Sequence, residues 1–279
     1  MGRHSQNYEY RVHANSSATK VARLVGSGQR VLELGCGPGM ITRLLAGQNC
    51  SVTAIECDEN AVKAVAPYCE AVHTQDLDES TWSACLSPLQ KFDAVVAGDV
   101  FEHLADPWRT MAQLKPLLDH GGCIVLSLPH AGHNALVACL IASDFEYKPW
   151  GLLDKTHLRF FGIHNMQSLC EEAGFKIVAV DYVIKVPEQT EFARRWRQLP
   201  KQLRDILAKN PFGSVYQVIV KVVPTSGQGR ALKLRECAPV ALPDHAALPV
   251  QLKHYLLSFV SLRVRQRVAE VLSSLGLRL

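Results

Sequence analysis

Apolar positions in this chain alternate between short unbroken runs and runs with helical spacing. Residues 17–24 carry apolar side chains at helical intervals and end at Gly26-Ser27-Gly28, which predicts a short amphipathic helix. Residues 30–34 then form a compact apolar run stopped by glycines, as a strand buried on both faces would. The same reading predicts helices at 40–46 and 60–66 and strands at 51–56, 71–73, 92–97 and 123–128. Asp106-Pro107 opens a helix over 108–118, because proline suits a first helical turn. A helix over 166–173 stops at Gly174, and 175–186 and 215–223 read as long apolar strands. The expected fold is α/β: a doubly wound, mostly parallel seven-stranded sheet, with the last two strands as an antiparallel hairpin at one edge.

Pro224-Thr225-Ser226-Gly227-Gln228-Gly229 has the composition of a linker. We therefore expect a domain over residues 1–224 and a helical C-terminal extension over 225–279. In 252–275 apolar residues recur at helical spacing with Lys253, Arg263, Arg265 and Arg267 among them. Such a basic amphipathic helix packs on its own domain, binds a partner protein, or lies on an anionic membrane surface. Packing is the commonest of these fates, and residues 249–279 are the candidate for a peripheral membrane or protein contact. A second basic stretch, Arg194, Arg195, Trp196 and Arg197 with Lys201 and Arg204, reads as a solvated helix face.

Composition narrows the class. Hydrophobic residues make up 48% of the chain and charged ones 20%, with a net charge of +4, so a real core is affordable and no nucleic-acid partner is demanded. Nine cysteines are scattered without a single CxxC pair, which fits reduced thiols in the cytoplasm. The polar N-terminus does not read as a signal peptide, and no run approaches the ~18 apolar residues of a membrane span. The expectation is a soluble cytoplasmic protein, with peripheral contact to the inner membrane face if the acceptor is lipid-linked.

The chemistry begins where the first strand runs into Glu33-Leu34-Gly35-Cys36-Gly37-Pro38-Gly39. Glycines there turn the backbone sharply and let a ligand approach it closely. The spacing is GxGxG rather than the dinucleotide GxGxxG, which disfavours a nicotinamide dehydrogenase. Glu56 ends the second strand, where an acid can bind ribose hydroxyls, and Asp76 follows the third, within reach of an adenine amino group. Each signal alone is weak, but their order is specific.

Val31 to Gly39 resembles the first motif of class I S-adenosylmethionine-dependent methyltransferases. Asp99-Val100-Phe101-Glu102-His103-Leu104-Ala105-Asp106-Pro107 resembles the segment after the fourth strand in the branch that includes ubiquinone-biosynthesis and sugar O-methyltransferases. Gly151 to Phe161 is similar to a stretch in bacterial members of that branch. The resemblance covers roughly residues 1–224 and implies a Rossmann-like methyltransferase fold with S-adenosyl-L-methionine as cofactor. By it, Glu33, Gly35, Cys36, Gly37 and Gly39 hold the methionine portion, and Glu56 with Cys57 the ribose. Asp76 and Leu77 take the adenine, and Gly98 and Asp99 close over the sulfonium end.

An oxygen acceptor must also lose a proton, which a placed histidine or carboxylate can take. The candidates are His103 after the fourth strand, His130 and His133 after the fifth, and Asp154 and His157 in the insertion that follows. His103 serves equally well as a loop scaffold, and Arg159 as an ion-pair partner of Asp154. The aromatics of the insertion (Phe145, Tyr147, Trp150, Phe160, Phe161) read as an acceptor wall or lid, with Phe160 and Phe161 as its core. His130 and His133 offer no third ligand at a clear spacing, so no metal is expected. Tyr8 to His13 is a candidate cap over the cofactor. The implied function is methylation of an oxygen on a small-molecule, saccharide or lipid-linked acceptor. The alternative is a cofactor-binding interaction module, catalytically silent, that acts through its tail. Asp99-Val100-Phe101-Glu102 stands where enzymes that methylate nucleic-acid base amines carry Asn-Pro-Pro-Tyr, which argues against that class.

Overall fold

A computed structural model describes residues 15–239 of the chain. The first helix, α1 (Ser17–Val25), is capped by Ser16, whose hydroxyl accepts the Thr19 N–H at 3.2 Å. There follow β1 (Arg30–Leu34), α2 (Met40–Gly47), β2 (Ser51–Glu56), α3 (Glu59–Val65) and β3 (Ala71–Thr74). Then come β4 (Phe92–Gly98), α4 (Pro107–Leu114), β5 (Leu118–Pro129), α5 (Asn134–Ile141) and α6 (Ile163–Glu172). The last elements are β6 (Phe175–Ile184), α7 (Ala193–Gln198), α8 (Lys201–Leu207) and β7 (Val215–Pro224). The strands form one seven-stranded sheet in the order β3-β2-β1-β4-β5-β7-β6. β7 runs antiparallel to both β5 and β6, and the other pairs are parallel.

Period-two alternation explains why the inner strands are apolar throughout. Leu32 and Leu34 of β1, with Val95 and Ala97 of β4, join one core cluster. Val31, Ala94 and Val96 face the other. The first cluster is covered by Met111 and Leu114 of α4 and by Met166, Leu169 and Cys170 of α6. The second is covered by Val21, Ala22 and Val25 of α1, Leu45 of α2 and Leu136 and Cys139 of α5. Each leucine buried this way contributes about 1.5–3 kcal/mol. The order reverses between β1 and β4, whose ends meet through the pair Leu34↔Ala97. The loops beyond that pair therefore open at a topological switch point, where open α/β sheets bind ligands.

Several predicted boundaries move. The helix expected through residue 118 stops at Leu114 and tightens into a 3-10 turn over Lys115–Leu117, because Pro116 has no N–H to donate to the carbonyl four residues back and so cannot continue the α-helical ladder. β5 starts earlier than expected, with a register shift between Phe92 and Ala94 of its partner strand. α5 (NALVACLI) is apolar almost all round, and an evenly apolar helix gives no amphipathic signal. In the basic stretch around α7 the residues Arg194, Arg197 and Lys201 are exposed, as a solvated face requires, but Trp196 is buried with Ala138 and Leu199, and its Nε1–H donates to Glu188 Oε1 at 2.6 Å. Arg195 pairs with Asp144.

The compact unit continues past Pro224 to Ala238. Leu234 is buried, its N–H donates to Gln167 Oε1 at 2.8 Å, and Tyr182 Oη–H donates to Cys237 O at 2.7 Å. The basic amphipathic stretch at 252–275 and the candidate cap at Tyr8 to His13 lie outside the described residues. Among the described residues no helix is long and apolar enough to cross a membrane.

Candidate active site

The glycine loop is clasped from behind by β2. Gly35 N–H extends the sheet by donating to Ile55 O at 2.8 Å. Glu56, only 8% exposed, accepts Gly37 N–H on Oε2 at 2.8 Å and Cys57 and Asp58 N–H on Oε1 at 2.8 and 2.9 Å. Three charge-assisted bonds hold loop and carboxylate together, leaving about one of the roughly four acceptor sites of a carboxylate. Gly39 is the N-cap of α2 with φ of 84°, and a Cβ there would stand 2.6 Å from Val65 Cγ1. At Gly37, by contrast, a Cβ would meet nothing within 4 Å, so the loop backbone borders open space. Glu33 sits beneath it, 2% exposed, with Oε2 lacking a hydrogen-bond partner among the described residues. Burial, reinforced by the charge of Glu56, pushes its pKa up to about 8.

Beyond β4 the chain turns on Asp99, a non-glycine residue at φ of 56°. Its Oδ1 accepts Ser127 Oγ–H and Gln217 Nε2–H, both at 2.8 Å. Protein packed around the carboxyl raises its pKa, and these two bonds oppose the rise. Asp76 is exposed and uses Oδ1 in a local turn to Asp78 N–H at 2.9 Å, while Leu77 is buried. Gly98 lies against α2, where any Cβ would strike Ile41 Cδ1.

The 3-10 turn Phe101–His103 brings a second group of side chains to the same end of the sheet. The Glu102 backbone carbonyl accepts Leu158 and Arg159 N–H at 2.8 and 3.0 Å, tying this turn to the insertion after α5. His103 Nδ1 lies 3.2 Å from Thr156 O and 3.1 Å from Thr156 Oγ1. That hydroxyl donates to Asp154 Oδ1 at 2.7 Å, so it can only accept from His103. The imidazole is therefore Nδ1–H, with its lone pair on Nε2. The rings of His103 and His157 meet edge to face with centroids 4.8 Å apart. Behind them Glu102 is 1% exposed, with His157 Nε2 4.0 Å from its Oε1. Burial and the charges of Asp99 and Asp154 lift the Glu102 pKa well above the carboxylate range, and burial drives His157 down to about 4.

The profile of the methyltransferase domain matches residues 8–180. The chain belongs to the methyltransferase domain family. It is similar to the ubiquinone biosynthesis O-methyltransferase of Glaesserella parasuis, at 24% identity over 43% of this chain and 54% of that one. The enzyme of the same name from Coxiella burnetii is 22% identical over 59% of this chain and 71% of the relative. The chain thus spans little more than half of the first relative. Among solved structures, the magnesium protoporphyrin IX methyltransferase of Synechocystis superposes with a TM-score of 0.52 at 15% identity, covering 78% of this chain and 90% of that one. The CcbJ methyltransferase of Streptomyces caelestis gives 0.52 at 14% identity over 79% and 94%. At such identities these two speak to the fold, which they share.

In this methyltransferase domain the acceptor-side candidates separate into two places. His103, Asp154 and His157 come together through Thr156. His133 does not face a groove: it is buried and caps α5, with Nδ1 accepting Ala135 N–H at 3.1 Å and Nε2–H donating to Lys185 O at 2.8 Å. Both its nitrogens are committed to backbone, so it has no lone pair for a proton, which corrects its reading as an acceptor-side base. His130 is buried beside Phe212, and both histidines are held down at about 4 by burial. Arg159 donates to Ala105 O rather than pairing with Asp154. Phe161 is core, whereas Phe160 is 38% exposed and packs edge-on to Phe145. Glu102 and Thr156 were not singled out in the sequence. The signal for Glu102 was an acid set between apolar Phe101 and Leu104 next to a histidine.

Proposed function

We propose that this chain is an S-adenosylmethionine-dependent methyltransferase that methylates an oxygen of a small-molecule, saccharide or lipid-linked acceptor. The methyltransferase assignment is that of its family, and S-adenosylmethionine is the cofactor that goes with it. The residues present fit that cofactor. The glycine loop borders open space at Gly37, whose N–H is held by the Glu56 carboxylate, and Glu33 keeps a buried oxygen without a hydrogen-bond partner among the described residues. Acids at this loop suit a ligand carrying ammonium and sulfonium charges and repel a pyrophosphate.

Glu33 and the loop from Gly35 to Gly39 would hold the amino-acid end, Glu56 with Cys57 the ribose, Asp76 with Leu77 the adenine, and Gly98 with Asp99 the sulfonium end. When bound, the cofactor supplies an electrophilic methyl group. The chain's own work is alignment and the exclusion of water, worth up to several kcal/mol of barrier, and removal of the acceptor proton. The single observation that carries the oxygen reading is the assembly of Glu102, His103 and His157 beyond the end of β4, with His103 oriented by Thr156 and Asp154. A neutral imidazole oriented in this way can accept the proton that an acceptor hydroxyl placed against it must lose. The names of the O-methyltransferase relatives support the same reading.

The test has two stages. Calorimetric titration with S-adenosylmethionine should give saturable binding by the full chain, and binding by neither this compound nor S-adenosylhomocysteine would sink the assignment. Transfer of a labelled methyl group is then read across hydroxyl and amine acceptors of each class. Turnover with amines alone would overturn the oxygen reading.

A further inference from the structure

Asp99 holds a backbone conformation that side chains rarely adopt, with φ of 56°. Such a residue persists where its surroundings fix it, and such residues cluster at functional sites. Here β5 and β7 do the fixing. Asp99 N–H donates to Ser127 O at 3.1 Å, and Ser127 Oγ–H and Gln217 Nε2–H both donate to its Oδ1 at 2.8 Å. Its Oδ2 accepts no hydrogen bond among the described residues, and Asp99 stays exposed. One oxygen is held and the other is open. Gln217 arrives there through the topology. β7 runs antiparallel beside β5, so its first residues lie at the carboxyl end of the parallel strands, with Gln217 paired to Pro129. From there the Gln217 side chain meets a residue 118 positions away, just beyond β4. Val100, the next residue, lies against the glycine loop: a Cβ on Gly35 would stand 2.8 Å from Val100 Cγ2. Asp99 therefore flanks that loop.

We propose that Gln217 is a positioning residue: with Ser127 it holds the Asp99 carboxylate toward the sulfonium, so that the site favours S-adenosylmethionine over S-adenosylhomocysteine. The inference rests on the cofactor placement proposed above. The two ligands differ by one methyl group and one positive charge. A fixed carboxylate near the sulfur separates them, whereas contacts to adenine, ribose and the amino-acid end serve both alike. Donors on Oδ1 also favour the ionised carboxyl. Weaker retention of the neutral product clears the site for the next turnover.

The full chain is titrated calorimetrically with each ligand, and the ratio of the two dissociation constants is the readout. Gln217→Leu and Ser127→Ala each remove one donor and should shift that ratio toward S-adenosylhomocysteine by about threefold or more. Asp99→Asn should shift it at least as far, and Gln217→Leu added to Asp99→Asn should change it no further. A residue with a merely structural role would weaken both ligands alike and leave the ratio where it was. Retained S-adenosylhomocysteine binding shows that a variant is folded, and the two donor variants, on separate strands, stand in for one another. Unchanged ratios in both overturn the proposal, as does a Gln217→Leu shift that persists undiminished beside Asp99→Asn. Wild-type protein that binds neither ligand overturns the cofactor reading and this inference together, whereas binding of both at a ratio no variant moves overturns this inference alone.

Discussion

Replacing Glu33 by Gln isolates the electrostatics at the end of β1. The carboxyl is 2% exposed, and burial lifts its pKa from the ordinary 4.5 to about 8. An acid whose folded pKa lies above its unfolded one binds its proton more tightly when folded. Its contribution to stability is therefore complete below the unfolded value and is lost as pH rises through about 8. The interval from 4.5 to about 8, at about 1.36 kcal/mol per pH unit, amounts to roughly 5 kcal/mol at full titration. Because Glu33 is partly ionised in the unfolded chain already at pH 5, about 4 kcal/mol of this falls between about pH 5 and pH 9. Glutamine keeps the shape and has no proton to lose. Urea unfolding of cofactor-free protein across that range measures both stabilities. The wild type should lose about 4 kcal/mol relative to the variant as pH rises, a difference in which every other titrating group cancels. Curves that stay parallel to within about 1 kcal/mol would refute the reasoning, because they would mean that water or a donor reaches the carboxylate.

Gly39→Ala combines a left-handed backbone with a Cβ 2.6 Å from Val65 Cγ1 and should cost about 2–4 kcal/mol in thermal unfolding. Val65→Ala should restore part of that loss, and no loss at all would refute the close packing. His130 and His133 have folded pKa values of about 4, below the ordinary 6.5. Their contribution is present above pH 6.5 and lost as pH falls through about 4, so His133→Gln should flatten the acid side of the stability profile. An unchanged slope would mean that the ring is solvated. Glu56→Gln weakens three backbone bonds to the glycine loop and should cut S-adenosylmethionine affinity by about tenfold or more in calorimetry. Equal affinity would take Glu56 out of the site. Trp82→Phe removes the 2.7 Å bond from Nε1–H to Gln113 Oε1 and should destabilise by about 1 kcal/mol, seen as a lower urea midpoint at unchanged slope.

Most of the sheet was legible because strand and helix periods are local. β1 occupies the predicted 30–34 and β2 the predicted 51–56, since apolar runs with glycine stops have few other ways to be buried. Misjudged elements share a cause. α5 lacks amphipathic contrast, and the basic residues beside Trp196 hide a buried anchor in α7. The glycine loop and its flanking acids were legible for the same local reason: glycines, an acid in β1 and one at the end of β2 follow one another in a fixed order.

The sequence by itself determined the α/β class, the seven strands and the acids around the glycine loop, because periodicity and turn chemistry act over a few residues. Tertiary structure alone decided that β7 enters between β5 and β6, since strand order depends on which edges the returning chain can reach. It also decided the fate of the histidines, all chemically alike in the sequence. His133 became a helix cap, while His103 and His157, from distant segments, met over Glu102. Which titratable groups share a pocket is set by where separate loops close on one another, and that contact leaves no local pattern in either segment.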